Sequence, residues 1–202
     1  MRIGIDIDEV VAEFVEGYLE LFNKKFEKEA KKEDILTYDL WKNLGISKED
    51  SFNLAHEFFK SPIFERVKLI EGAVESIPKL SENNELFFIT SRPIDFKSKT
   101  ENFLTKNFSN INFKLIHSGD RFKNGLKSKS EICEDEGVEI IIEDQPDYCF
   151  DCAKKGIRAF LFDKPWNKNF DESKSENIIR IKNWNEILEK INDLKLKIKN
   201  EL

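Results

Sequence analysis

The feature that most constrains how this chain folds is an alternation of short apolar segments with segments of helical periodicity. The apolar segments are rich in isoleucine and phenylalanine, which suits strands buried on both faces of a sheet. They are RIGIDI near the N-terminus, ELFFITSRP, FKLIHSGD (113–120), VEIIIEDQPD (138–147), IRAFLFDKP (157–165) and NIIRI (177–181). Helical patterns such as 94–106, 129–136 and 146–155 separate most of them. The alternation predicts an α/β, Rossmann-like core with a mostly parallel sheet flanked by helices.

Helical periodicity also follows the first strand directly. Apolar residues recur at helix spacing from Val10 through VVAEFVEGYLELFNKKF. The stretch SKEDSFNLAHEFFKS predicts a helix with Ser47 as its N-cap. A further helix is predicted from Gly72, with a bend or restart at Pro78, because proline lacks the backbone donor.

The domain organisation follows from a region without strand patterns. Residues 24–71 are mostly charged or aromatic and contain no clear strand. We therefore assign residues 1–13 and 73–202 to the core, and residues 14–72 to a small helical cap inserted after the first strand. A chain of 202 residues with 40% hydrophobic residues can bury a core of this size.

Charge and hydropathy exclude several classes of partner. The net charge of −6 provides no basic surface for polymeric DNA or RNA. No apolar segment approaches the ~20 residues needed to span a membrane, and the first strand begins without a leader pattern. We expect a soluble, cytoplasmic protein. The sequence leaves the oligomeric state open, a homodimer included.

The cysteines have two interpretations. Cys149 and Cys152 form a C-x-x-C motif, which occurs in redox pairs and zinc sites, but no second pair or suitably spaced histidine accompanies it. With Cys133 they form an odd set, which does not suit a disulfide framework. Buried thiols on a helix are the favoured interpretation.

Carboxylates and hydroxyls collect where the predicted strands end. Asp6 and Asp8 follow the first strand, Thr90 ends FFIT, and Glu143 and Asp144 end IIIED. The carboxyl ends of parallel strands meet at one edge of a sheet, where ligands bind. Four acidic groups there need a counter-ion, and oxygen ligands are those that Mg²⁺ prefers. A hard metal, a hydroxyl and a nearby lysine suit phosphoryl transfer, with an aspartate as a covalent nucleophile.

DIDEV, FFITS, a lysine and IIIED occur in an order that resembles the four motifs of the haloacid dehalogenase-like phosphatases. Within that superfamily, the segments DIDEVVAEFVEGYLELFNKKF, EGAVESIPKL, FFITSRP, IIIEDQPD and NWNEIL are similar to the 5'(3')-deoxyribonucleotidase group, including its helical cap. The resemblance implies a Mg²⁺-dependent phosphomonoesterase that forms an aspartyl-phosphate. It also implies a small substrate, a nucleoside monophosphate.

The resemblance implies roles for the four carboxylates. Asp6 would be the nucleophile and a metal ligand, and Asp8 the general acid and base, with its backbone carbonyl on the metal. Asp144 would be a metal ligand, and Glu143 its partner in the metal site. Glu143 departs from a frequent aspartate, and Glu9 stands where the family usually has glycine.

The remaining site residues would bind the phosphate and the base. Thr90 would hydrogen-bond a phosphoryl oxygen, with Ser91 and Arg92 beside it. Thr90 and Ser91 also fit a simpler role, as caps of the helix near Ile94. Phe14 and Trp41 would stack on the base, although such residues are also common in cores.

A lysine would hold the phosphate and the nucleophile together. Lys123, Lys127 and Lys129 lie in one stretch, and Lys129 is favoured because KSEIC starts the helix before the last motif.

Three alternatives remain. One is a phosphatase of the same superfamily for another small ester, such as a sugar phosphate. Another is a receiver-like signalling domain, which needs no cap and would place its acidic pair elsewhere. The third is a non-catalytic phosphate-binding module.

Overall fold

A single parallel sheet organises the protein. The computed structural model describes residues 1–119 and 125–201, with side chains described as far as residue 197. Within these residues every neighbouring pair of strands is parallel, in the order β3-β2-β1-β4-β5-β6. The strands are β1 (Arg2–Ile5), β2 (Glu85–Thr90), β3 (Phe113–His117), β4 (Ile140–Glu143), β5 (Arg158–Phe162) and β6 (Ile178–Ile181). The predicted α/β fold with a parallel sheet is confirmed.

Helices connect the strands and cover the sheet. They are α1 (Phe14–Phe26), α2 (Leu40–Leu44), α3 (Lys48–Lys60), α4 (Ala73–Ser81), α5 (Lys97–Asn107), α6 (Lys129–Asp135), α7 (Pro146–Lys154) and α8 (Trp184–Glu201). Alternate residues of the inner strands face different helices. Ile140 and Ile142 of β4 pack in a cluster with residues of α4, α5 and α8, whereas Ile141 packs with residues of α6 and α7. Each of these fully buried side chains contributes roughly 1.5–3 kcal/mol, which agrees with an apolar residue at every position from 140 to 142.

The strand register aligns the ends of β1, β2 and β4. Ile5 pairs with Phe88 of β2 and with Ile142 of β4, and the amide of Asp6 continues the ladder by donating to the Ile142 carbonyl at 2.9 Å. Thr90 and Asp144 each lie two residues beyond these pairs. The side chains of the three motifs therefore emerge at the same edge of the sheet.

Residues 14–72, which we refer to as the insertion, have a hydrophobic cluster that is rich in aromatic residues. Phe14, Tyr18 and Phe58 belong to it, and the Phe14 and Phe58 rings meet edge to face at 5.2 Å between centroids. Two residues from outside the insertion, Phe96 and Trp166, complete the cluster.

One local prediction about the helices was wrong, and a second was wrong in part. The first helix begins at Phe14, not at Val10, because the amides of Val11 and Ala12 donate to the Ile7 carbonyl in a turn. Val10 and Val11 are fully buried in the core, so these two positions are apolar because the turn packs against the core, and not because they belong to a helix. The helix predicted from Gly72 is confirmed as α4, but of the bend or restart expected at Pro78 the restart is wrong, since α4 is continuous through that residue.

Two other local predictions are confirmed. Ser47 caps α3, since its hydroxyl accepts a hydrogen bond from the Asp50 amide at 2.9 Å. Cys133, Cys149 and Cys152 are free, buried thiols on α6 and α7. Burial raises the pKa of Cys149 well above its usual value, which makes its thiolate scarce.

Candidate active site

The centre of the site is a buried lysine held between two carboxylates. Lys129, the first residue of α6, places its Nζ 2.7 Å from Asp6 Oδ1 and 2.5 Å from Glu143 Oε2. The capping box at Ser128 fixes the start of this helix, because the Ser128 hydroxyl and the Glu131 carboxylate each accept a backbone amide. The capping box therefore sets Lys129 as the first residue of α6, from where its side chain reaches Asp6 at the end of β1.

Burial and charge strongly perturb these groups. Burial, followed by repulsion from Glu143, raises the pKa of Asp6 to about 8, although Lys129 opposes this shift. Burial disfavours the ammonium of Lys129, but attraction from Asp6 and Glu143 raises its pKa well above the usual value. Lys129 is thus a fixed positive charge beside Asp6, suited to holding an anion against it.

Asp6, Glu143 and Asp144 form a cluster of buried carboxylates. One oxygen of each lies within 4.8 Å of the other two. Burial and the negative charge of Glu143 raise the pKa of Asp144 well above its usual value. Asp144 Oδ2 accepts a hydrogen bond from Trp166 Nε1 at 2.8 Å, whereas the buried Oδ1 has no donor among the described residues.

This cluster fits a hard divalent cation. All its ligand atoms are oxygens, the repulsion between the carboxylates calls for positive charge, and the unpaired Asp144 Oδ1 offers a buried ligand. The Asp8 side chain does not belong to the cluster, which is compatible with the implied role of its backbone carbonyl.

Asp8 is held by Arg92. The guanidinium donates from Nε to Oδ1 at 3.1 Å and to Oδ2 at 3.0 Å, and from Nη2 to Oδ1 at 2.6 Å. Arg92 is buried, and the rings of Phe59, Phe64 and Phe103 lie 5.3–5.5 Å from its central carbon. Arg92, expected beside the phosphate, therefore also fixes the carboxylate that would act as acid and base.

The hydroxyls after β2 lie at the same edge. The Thr90 hydroxyl is buried and accepts a hydrogen bond from the Arg92 amide at 3.2 Å. The Ser91 and Ser118 hydroxyls share a hydrogen bond at 3.0 Å. Neither Thr90 nor Ser91 caps α5, which begins at Lys97 with Phe96 at its N-cap position.

The three candidate lysines lie in different surroundings. Lys129 is buried against Asp6, while Lys127 is exposed and pairs with Asp135. Lys123 lies outside the described residues. Of the two lysines that are described, only Lys129 contacts the site.

A cavity of about 210 Å³ opens between the insertion and the edge of the sheet. Its lining contains the predicted substrate-binding residues and three of the predicted catalytic residues, namely Phe14, Trp41, Ser91, Arg92, Asp6, Asp8 and Lys129. Aromatic residues that no motif pointed to also line it, among them Tyr18, Tyr38 and Tyr148. Charged and aromatic side chains therefore line the same cavity.

The loop after β5 contributes residues that sequence patterns did not indicate. Trp166 donates to the Asp144 carboxylate, and Asn167 Nδ2 donates to the Asp144 carbonyl at 2.8 Å. A weak signal was present, since KPWN directly follows the strand IRAFLFD at the same edge of the sheet. Ligands at that edge need supporting hydrogen bonds.

The fold defines the class of protein. A haloacid dehalogenase-like hydrolase from Streptococcus pneumoniae matches this structure with a TM-score of 0.70 and 14% sequence identity, covering 94% of this chain and 97% of that chain. The hydrolase YfnB of Bacillus subtilis, solved bound to magnesium, matches with a TM-score of 0.64 and 14% identity, covering 95% and 98%. At these identities the likeness shows the fold, which is that of the haloacid dehalogenase superfamily.

Sequence comparison shows the family within that class. Residues 1–199 match the family model described as "5' nucleotidase, deoxy (Pyrimidine), cytosolic type C protein", so the chain belongs to this family. A nucleotidase of Clostridium acetobutylicum is 28% identical over 187 residues, 93% of this chain and 91% of the relative. A 5'(3')-deoxyribonucleotidase of Bacillus subtilis is 26% identical over 193 residues, 94% and 97% of the two chains. The protein is therefore a hydrolase of phosphoric monoesters, and the predicted superfamily is confirmed.

No helix among the described residues combines the length and apolar character needed to cross a bilayer.

Proposed function

We propose that this protein is a Mg²⁺-dependent 5'(3')-deoxyribonucleotidase that releases phosphate through an aspartyl-phosphate on Asp6. The observation that carries this assignment is the Asp6 carboxylate, which is paired with Lys129 at 2.7 Å in a cavity that aromatic residues also line. The family and its deoxyribonucleotidase relative support a nucleoside monophosphate as substrate.

In the first step, an Asp6 oxygen attacks phosphorus and the bond from phosphorus to the leaving alkoxide breaks. Asp8 donates a proton to that alkoxide, while Arg92 holds the Asp8 side chain in place. Lys129 and the Thr90 hydroxyl bind phosphoryl oxygens, where negative charge must be neutralised.

In the second step, Asp8 accepts a proton from a water molecule that attacks the phosphorus of the aspartyl-phosphate. The bond from phosphorus to Asp6 breaks, which returns the Asp6 carboxylate and releases inorganic phosphate. Splitting the displacement into two steps is the advantage of a covalent nucleophile.

Asp6 and Asp144 would hold Mg²⁺ directly, with Glu143 and the Asp8 carbonyl completing the protein's contribution. When bound, the ion would supply positive charge that offsets repulsion between the phosphate and the nucleophile. The unpaired Oδ1 of Asp144 supports this assignment.

The insertion would act as a cap that provides the base site. Phe14 and Trp41 line the same cavity as Lys129, and base stacking on such rings tolerates different bases. The word "cytosolic" in the family description supports the expected cytoplasmic location.

The direct test is phosphate release from a panel of ribo- and deoxyribonucleoside 5'- and 3'-monophosphates with Mg²⁺, compared with sugar phosphates. We expect deoxyribonucleoside monophosphates to give the highest kcat/KM. Faster hydrolysis of a sugar phosphate would replace the nucleotide assignment with that of a different small-ester phosphatase.

A further inference from the structure

One buried carboxylate lies between the insertion and the core and has no role in the chemistry above. Glu9 is fully buried, and its Oε1 accepts a hydrogen bond from the Val15 amide at 2.7 Å, at the start of α1. Its Oε2 lies 2.7 Å from the Lys32 ammonium and 3.4 Å from the Lys164 ammonium. Lys32 belongs to the insertion, whereas Lys164 follows β5 in the core. A buried carboxylate needs such partners, so Glu9 links the two regions electrostatically.

The backbone at this position would suit another residue better. Glu9 has a φ of 66°, in the left-handed region that glycine adopts without strain. Glycine would also avoid burying a charge. We propose that Glu9 is a positioning residue that keeps the insertion docked over the reaction centre, by binding Lys32 and Lys164 at once.

The core side of this link supports the candidate metal site. Lys164 lies in the same short loop as Trp166 and Asn167, which donate to the side chain and the carbonyl of Asp144. Trp166 also meets the ring of Tyr38, from the insertion, edge to face at 5.8 Å between centroids. The contacts between the insertion and this loop therefore include an ionic link, from Lys32 through Glu9 to Lys164, and an aromatic contact.

The two connections between insertion and core are themselves paired. The Glu13 amide donates to the Lys68 carbonyl at 2.9 Å, and the Ile70 amide donates to the Val11 carbonyl at 2.8 Å. This short ribbon of residues 11–13 and 68–70 is where opening of the insertion would bend the chain. The Glu9 link lies beside the ribbon and resists that bending.

The effect on catalysis rests on the proposed function, since the insertion is taken to provide the base site. Loosening the link should raise KM for a nucleoside monophosphate more than it lowers kcat, because the base site would be correctly placed for less of the time. Acetyl phosphate, which has no base, should be much less affected.

The decisive variant is Lys32→Met, compared with Lys31→Met as a matched control at the adjacent exposed lysine. Lys32→Met leaves Glu9 paired with Lys164, so the fold should be retained. We expect KM for deoxyribonucleoside monophosphates to rise by about tenfold. Hydrogen exchange at the Glu13 and Ile70 amides should become faster in the same variant and stay at the wild-type rate in Lys31→Met.

Two results would contradict the proposed role of Glu9. One is an unchanged rate of hydrogen exchange at these amides in Lys32→Met. The other is faster exchange with an unchanged KM in an active enzyme. If the wild-type enzyme hydrolyses no nucleotide but Lys32→Met still exchanges faster, the link stands and the nucleotidase assignment fails.

A second variant, Glu9→Gly, tests the same link with little risk of misfolding, because glycine suits the backbone at this position. It should reproduce the KM increase, and adding Lys32→Met to it should have no further effect, since both remove the same link. Additive effects of the two changes would overturn the assignment.

Discussion

Arg92 donates hydrogen bonds from Nε and Nη2 to both oxygens of Asp8. Its guanidinium lies among aromatic rings from α3, from the segment after α3 and from α5. Such two-point pairing restricts rotation of the carboxylate as well as its position. The position and the orientation of the Asp8 carboxylate are therefore both set by Arg92.

Replacing Arg92 by lysine should keep the positive charge but lose the simultaneous hydrogen bonds to both Asp8 oxygens. We expect kcat for nucleoside monophosphates, whose alkoxide leaving groups need protonation, to fall by about ten- to a hundredfold. Acetyl phosphate has a better leaving group and should lose less. Arg66→Lys, at an exposed arginine that pairs with Glu20, is the control. Equal losses for both substrates would show that Arg92 acts mainly on the phosphate.

Asp6→Asn should lower turnover by at least about a thousandfold, because an amide is a poor nucleophile for phosphorus and removes a charged metal ligand. Phosphate release measures the loss, and Asp95→Asn, at an exposed residue before α5, should remain near wild type. Near-normal turnover of Asp6→Asn would exclude Asp6 as the nucleophile.

Mg²⁺ should stabilise the protein more at alkaline than at acidic pH. Burial and Glu143 raise the pKa of Asp6 from 3.8 to about 8, so the folded, metal-free protein retains a proton that the unfolded chain loses. The stability from that retained proton is fully present below the unfolded pKa and is lost as the pH rises through the folded pKa. Mg²⁺ competes with the same proton, so the increase in Tm on adding Mg²⁺ should be larger at about pH 8.5 than at about pH 6.

The matched variant for this measurement is Asp144→Asn, which removes a ligand charge. Its Tm should respond little to Mg²⁺ at either pH. A response equal to that of the wild type would place the ion elsewhere.

Trp166→Phe should weaken Mg²⁺ binding by about tenfold, because it removes the indole donor to Asp144 while keeping an aromatic ring. The Mg²⁺ dependence of activity measures this change. Trp184→Phe is a suitable control, since Trp184 donates to the Val10 carbonyl at 3.0 Å within the core. That control should lower Tm without altering the Mg²⁺ dependence.

Trp41→Ala should lower kcat/KM for nucleoside monophosphates by roughly ten- to a hundredfold, because stacking on a base is worth about 1–3 kcal/mol. Hydrolysis of acetyl phosphate should stay close to wild type. Phe14→Ala should show the same preference together with a lower Tm, because Phe14 also packs against Phe58. Phe26→Ala, at a more exposed ring, is the control. Equal losses for both substrates would make these aromatic residues packing residues.

The core fold and its motif positions could be predicted because they depend on local patterns. The apolar runs predict the strands, and parallel pairing then brings residues such as Asp6 and Asp144 to one edge wherever they lie in the chain. The helix start also favoured Lys129 over Lys127 as the phosphate-binding lysine, and of these two it is Lys129 that contacts Asp6.

Other features depend on tertiary contacts that no local pattern records. Val10 and Val11 fit the spacing of apolar residues on a helix, but they lie in a turn. Their side chains are buried in the core there, so the apolar pattern does not distinguish the turn from a helix. The role of Trp166 requires the loop after β5 to fold back over Asp144, a distance of 22 residues along the chain. The ion pair between Arg92 and Asp8 likewise joins positions that are 84 residues apart along the chain.

The position of β1 in the middle of the sheet has a consequence for protein synthesis. Its neighbours are β2 and β4, and Lys129 and Asp144 leave the ribosome more than a hundred residues after Asp6. A nascent chain that ends before Lys129 lacks the cation beside Asp6, and it also lacks β4, the neighbour on one side of β1. Catalytic competence should therefore arise abruptly late in translation, and truncated products released before that point should be inactive.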